Sequence, residues 1–177
     1  MININDYDIL RNNRKSLKEL SEDTANSEYM TESTMEAIDF DTVKESYTRK
    51  LKLPMTNAFS VDAILCKDNK IIFIEFKNGF MEKATIQNVH DKVRDSLLIL
   101  NAITDINVCT TQKEAEFILV YNERKNNSKK NITNSIMKKA KKEMILFGLH
   151  RFETLYFKDV HTYTKQEFNQ YIKKLIT

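Results

Sequence analysis

The stretch AFSVDAILCKDNKIIFIEFK, residues 58–77, decides the fold. Two apolar segments, 58–66 and 71–77, flank the polar tetrapeptide Lys67-Asp68-Asn69-Lys70, a pattern that predicts two strands joined by a tight turn. Asp68 and Asn69 suit a two-residue turn that needs positive φ. A turn there sets Lys67 opposite Lys70, Asp62 opposite Glu75 and Ser60 opposite Lys77. Residues two apart on a strand share a face, so Asp62, Glu75 and Lys77 project from one side together with Ile64, Cys66, Ile71 and Phe73. The other side carries Ala63, Leu65, Ile72, Ile74 and Phe76. Both sides are apolar, and the hairpin is expected to be covered on both.

Working outward, Ile86, Val89, Val93, Leu97, Leu100 and Ile103 recur at three or four residues and predict a long helix after Asn78-Gly79. Residues 115–121 (AEFILVY) form an apolar run of strand length. A helix over about 132–147 with Gly148 as its left-handed cap, a strand over 151–160, and a last helix capped by Thr164 and Glu167 complete the C-terminal part. Upstream, sparse apolar positions among many charges, with capping boxes at Ser16/Glu19 and Ser33/Glu36, predict a helical region over about residues 1–50. The order is that of an α/β domain: a mixed sheet with a central hairpin flanked by helices. With 177 residues the chain is read as one domain, the core at about 36–121 and a C-terminal helix-strand-helix at about 131–177.

Composition narrows the chemistry. The chain holds two glycines, Gly79 and Gly148, and one proline, Pro54, against the roughly 12% Gly plus Pro of average usage. A dinucleotide fingerprint or a phosphate-binding P-loop needs clustered glycines, so both are excluded. Cys66 and Cys109 have no metal-site or small-secreted-domain spacing, and neither an export signal nor an apolar run of membrane length is visible, so a cytoplasmic protein is expected. The net charge of +3 hides a polarity: nine acids against one base over residues 19–45, and eight bases against two acids over 123–143. In the second region Arg124, Lys125, Lys129, Lys130, Lys138 and Lys142 form a candidate phosphate-backbone contact, with a solvated helix face and loop as the plainer alternative. The histidines lack ligand spacing and are expected in surface or capping roles.

Two acids facing each other in an apolar setting are costly unless something compensates. One compensator is a divalent cation: two hard carboxylates with a backbone carbonyl and waters suit Mg²⁺ or Mn²⁺, with Lys77 beside it to position a nucleophile or stabilise developing charge. The other is Lys77 itself, as the partner of a structural ion pair.

The spacing of Asp62 and of Glu75-Phe76-Lys77 at the end of an apolar strand resembles the PD-(D/E)xK nuclease superfamily. That resemblance spans roughly residues 36–121 and implies a restriction-endonuclease-like fold and metal-dependent cleavage of nucleic acid, DNA above all. It makes Asp62 and Glu75 metal ligands and Lys77 the catalytic lysine. It also implies an upstream acid, Glu36 before Glu45, and a Gln87 contribution from the following helix, with Asp91 one turn on. The first strand of the family's meander would fall at 49–53. A different class of function stays open: a catalytically inactive nuclease-fold protein of immunity, antitoxin or anti-defence type, binding a basic partner through its acidic N-terminal surface. A second copy of the chain is an open partner under either reading.

Overall fold

A computed structural model describes residues 6–68, 70–126 and 144–176. Its centre is a six-stranded mixed sheet of β1 (Arg14–Ser16), β4 (Glu36–Asp39), β5 (Ala63–Lys67), β6 (Lys70–Lys77), β7 (Ala115–Tyr121) and β8 (Asp159–Thr164), in that spatial order. The first four strands run antiparallel to their neighbours; β6, β7 and β8 are mutually parallel. Two short strands, β2 (Glu22–Asp23) and β3 (Glu28–Tyr29), form a separate hairpin.

The central hairpin has the expected register, Lys67 opposite Lys70 and Ala63 opposite Ile74, and Asp68 carries the positive φ of 50° that the turn requires. Placing two lysines face to face is relieved by separate partners. Lys70 Nζ lies 2.7 Å from the buried Glu116 carboxylate, and Lys67 donates to the Leu175 carbonyl at the C-terminal end of a helix.

Helices cover both faces of the sheet. On the face of Ile64, Ile71 and Phe73 lie α3 (Phe40–Lys50) and α4 (Lys83–Ile103), the latter through Val89, Val93, Leu97 and Leu100. Phe157 fills the same layer, its ring centroid 5.1 Å from that of Phe73 in an edge-to-face contact. On the face of Ala63, Leu65, Ile72 and Ile74 packs α6 (Lys165–Ile176), through Phe168 and Ile172. Single-turn helices α1 (Asp8–Arg11) and α2 (Leu17–Leu20) and the two-turn α5 (Val108–Glu114) complete the α-helices among the described residues. None of the described helices is long and apolar enough to cross a membrane.

Several sequence expectations are corrected. The N-terminal fifty residues are mostly not helical: they supply β1 to β4 and only the short α1 and α2 before α3. Their apolar residues are too sparse to form a helical stripe; β1 and β4 are set by pairing to the sheet, and β2 and β3 by pairing to each other. The Ser16/Glu19 capping box is present at α2, whereas Glu36 lies in β4 and Ser33 accepts the Met35 N–H instead. Residues 49–53 cover the last two residues of α3 and the turn after it, so the strand beside β5 is β4. Near the C-terminus the strand is Asp159–Thr164, preceded by a 3₁₀ turn at Leu149–Phe152. Residues 144–147 are not helical, Gly148 has φ +70° as expected, and the basic helix assigned to about 132–147 lies otherwise outside the described residues.

Candidate functional site

The site is built where β5 begins and β6 ends. Helix α4 crosses that point and fixes it with three polar side chains on one face. Asp95 Oδ2 accepts the Phe59 N–H at 2.8 Å, and the buried Ser96 Oγ accepts the Val61 N–H at 2.8 Å. One turn earlier, Lys92 Nζ lies 3.2 Å from Asp62 Oδ1. The sheet ladder between β5 and β6 stops at Ala63, and Asp62 replaces the next rung: its Oδ2 accepts the Phe76 N–H at 2.6 Å. Asp62 is thus held by backbone on one oxygen and by an ammonium on the other.

Glu75 is fully buried on the same face. Its Oε1 receives Lys77 Nζ and Lys92 Nζ, each at 2.8 Å, and its Oε2 receives Lys92 Nζ at 3.0 Å. The two acids therefore converge on one cation position, marked by Lys92 Nζ. Burial and the neighbouring Glu75 charge push the Asp62 carboxyl up to about 6, against the pull of Lys92, Lys77 and the Phe76 N–H. Burial works against the Lys92 ammonium, but the Glu75 and Asp62 charges outweigh it and hold its pKa above the ordinary lysine value. A third acid faces the group from the first turn of α3. Asp41 accepts a hydrogen bond from Ser60 Oγ, and desolvation together with the Asp62 charge pushes its carboxyl up.

Lys77 is the most open of the paired cluster, its side chain 22% exposed. Together with Asp62 it lines a polar cleft of about 280 Å³ whose far wall is Ser21, Glu22, Asp23 and Thr24 from the β2–β3 hairpin and its approach. Asn78, just past β6, ties that hairpin down: its Nδ2 donates to Asp23 at 2.7 Å and to Glu28 at 2.9 Å. The Asn26 and Asn78 amides hold the Asp23 carboxyl below its usual range.

Of the residues singled out in the sequence, Asp62, Glu75 and Lys77 come together. Gln87 does not: it is exposed on α4 and donates to Asp91 at 2.9 Å, one turn along the same helix surface. Glu36 does not either. It is exposed on β4 and lines a separate cavity of about 730 Å³ with Cys66 and Lys67, at the turn end of the hairpin. Asp41, in the first turn of α3, is the upstream acid whose charge interacts with that of Asp62. Arg124 and Lys125 sit in the turn after β7, where their N–H groups donate to Asn122 Oδ1 and the Asn122 N–H donates to the Lys77 carbonyl at 3.0 Å. Lys129, Lys130, Lys138 and Lys142 lie outside the described residues. His90 is buried, its Nε2–H donating to the Phe147 carbonyl at 3.1 Å, and His161 stacks on Tyr163, so neither has the surface role expected of it.

Lys92 is the member the sequence reading missed. The signal is present: it lies three residues after Val89 and directly before Val93, on the flank of the stripe that faces the sheet. Among the described residues no group of three or more His, Cys, Asp or Glu is arranged to hold a metal ion. The donors that do converge, two anchored carboxylates around one cation position, suit a hard divalent ion that takes water or a backbone oxygen for its other ligands. No protein-family model matches the chain, and comparison with characterised proteins and with solved structures returns no match.

Proposed function

We propose that the chain is a metal-dependent nuclease that hydrolyses the phosphodiester bonds of nucleic acid, with DNA as the expected substrate. The observation that carries this reading is the convergence of Asp62, Glu75 and Lys77 at the end of β6, with Asp62 and Lys77 opening on a polar cleft. A restriction-endonuclease-like fold, Mg²⁺ or Mn²⁺ as cofactor and a cytoplasmic place of action belong to the same reading.

Asp62 and Glu75 would hold the ion. Bound there, a divalent cation supplies an acidified water and offsets charge on the phosphate. The chain's own residues do the rest. The Phe76 N–H fixes one Asp62 oxygen, so the carboxylate cannot turn away from the cleft. Lys77, paired through Nζ to Glu75 and with its side chain partly exposed to the cleft, would donate to a non-bridging phosphate oxygen and orient the attacking water. Arg124 and Lys125, two and three residues beyond the Asn122 contact to Lys77, extend positive charge from the cleft along a phosphate backbone.

A second reading has its own support. Both carboxylates are already matched by ammonium groups, and Glu22 and Asp23 wall the cleft with negative charge. Under it the chain is a catalytically inactive nuclease-fold binding protein that meets a basic partner with its acidic N-terminal surface.

Single-turnover cleavage of labelled single- and double-stranded DNA in Mg²⁺ and Mn²⁺ separates the two. The nuclease reading expects metal-dependent cleavage, with Lys77→Ala slowing it on the order of 100-fold while DNA binding is retained. No cleavage of either substrate in either metal, by a protein that binds a basic partner through residues 19–45, establishes the second reading instead.

A further inference from the structure

We infer that Lys92 is a built-in counter-ion for the Asp62–Glu75 pair, holding the place of the divalent ion in metal-free protein and leaving it when the ion binds. The inference rests on the metal-dependent reading above and assigns how the ion is admitted.

The geometry points to one shared position. Lys92 Nζ reaches Asp62 Oδ1 at 3.2 Å and both Glu75 oxygens at 2.8 and 3.0 Å, so it already sits between the donors an ion would use. An ammonium and a divalent cation repel strongly at such separations in a partly buried site, so the two cannot occupy the position together. Lys77 does not compete in the same way, because it touches only Glu75 Oε1 and opens on the cleft.

Withdrawal needs a mobile group. The lysine stem is long and flexible, while its Cα is locked by Val89 and Val93 in the core, so the head can move without the helix. While Lys92 is seated, each carboxylate has an ammonium partner. The metal-free site then stays neutral and folded. Without Lys92, Glu75 would keep only Lys77, and Asp62 would face it with no cation of its own.

The test is Mn²⁺ binding measured by isothermal titration calorimetry on the full chain, wild type and Lys92→Met. The variant keeps the stem and removes the competing charge. Expected are at least tenfold tighter Mn²⁺ binding by Lys92→Met, a lower metal-free melting temperature, and its recovery in saturating Mn²⁺. Equal or weaker binding by the variant overturns the inference and leaves the metal site standing. Absence of Mn²⁺ binding by both folded proteins overturns the metal reading as well. A second measurement needs no variant: acetylation of wild-type Lys92 by an N-hydroxysuccinimide ester, read by mass spectrometry. Labelling that rises severalfold on adding Mn²⁺ supports release of the ammonium; labelling that is unchanged or reduced contradicts it.

Discussion

Glu75 has no exposed surface, yet its two oxygens take three ammonium contacts from Lys77 and Lys92. A carboxylate buried that deeply is tolerated only with such compensation, and removing one partner leaves the other charge stranded. The same logic makes His90 informative. Burial, reinforced by Arg151 and Arg94, outweighs the Phe147 hydrogen bond and the Asp91 charge and keeps the His90 pKa below the ordinary 6.5. The unfolded chain takes up a proton at that ordinary value and the folded chain does not. The His90 contribution to stability is therefore present above about pH 6.5 and is lost as pH falls below it. Replacement His90→Phe keeps the ring packed against Phe152 but gives up the donor to Phe147. It is expected to cost about 1 kcal/mol at neutral pH and to flatten the slope below pH 6.5, both read from urea unfolding at a series of pH values.

Among the elements, α4 does most to place the site, because Lys92, Asp95 and Ser96 grip the chain entering β5. Ser96→Ala leaves the buried Val61 N–H without an acceptor and is expected to destabilise the fold by about 1 to 3 kcal/mol, measured by equilibrium unfolding. A neutral result would mean that the chain at 59–62 is held by other contacts. The hairpin, α4 and β7 are legible in the sequence because each carries its own signal: two apolar runs around a polar Asp-Asn turn in β5 and β6, spacing of three and four in α4, an unbroken apolar run in β7. Strands β1 to β4 are not legible, since two to four residues hold no period, and the partners of β1 and β4 are distant in sequence. Lys92 escapes for a related reason. A charged residue on the flank of an amphipathic helix reads as solvated until the crossing of that helix over residues 59–62 is known.

At the scale of the whole molecule, charge is divided along the chain, and the division meets at the cleft. The acidic β2–β3 hairpin is pinned there by Asn78, while Arg124 and Lys125 leave β7 on the same end of the sheet, with the Lys125 charge felt at Asp23. A phosphate backbone would approach over the basic side and away from Glu22 and Asp23. Reversing Arg124 and Lys125 to Glu is expected to weaken DNA binding about tenfold or more at low salt and to reduce its salt dependence, measured by fluorescence anisotropy. Unchanged affinity and slope would place the binding face elsewhere.

The central claim is that the Asp62–Glu75–Lys77 cleft hydrolyses phosphodiesters with a bound metal. Nicking of supercoiled plasmid in Mn²⁺ by wild-type protein and by Glu75→Gln tests it most directly. Nicking by the wild type that chelator abolishes, and its loss by at least 100-fold in a folded Glu75→Gln variant, is the result expected. Equal nicking by both proteins, or none by the wild type at any Mn²⁺ concentration, would contradict the claim.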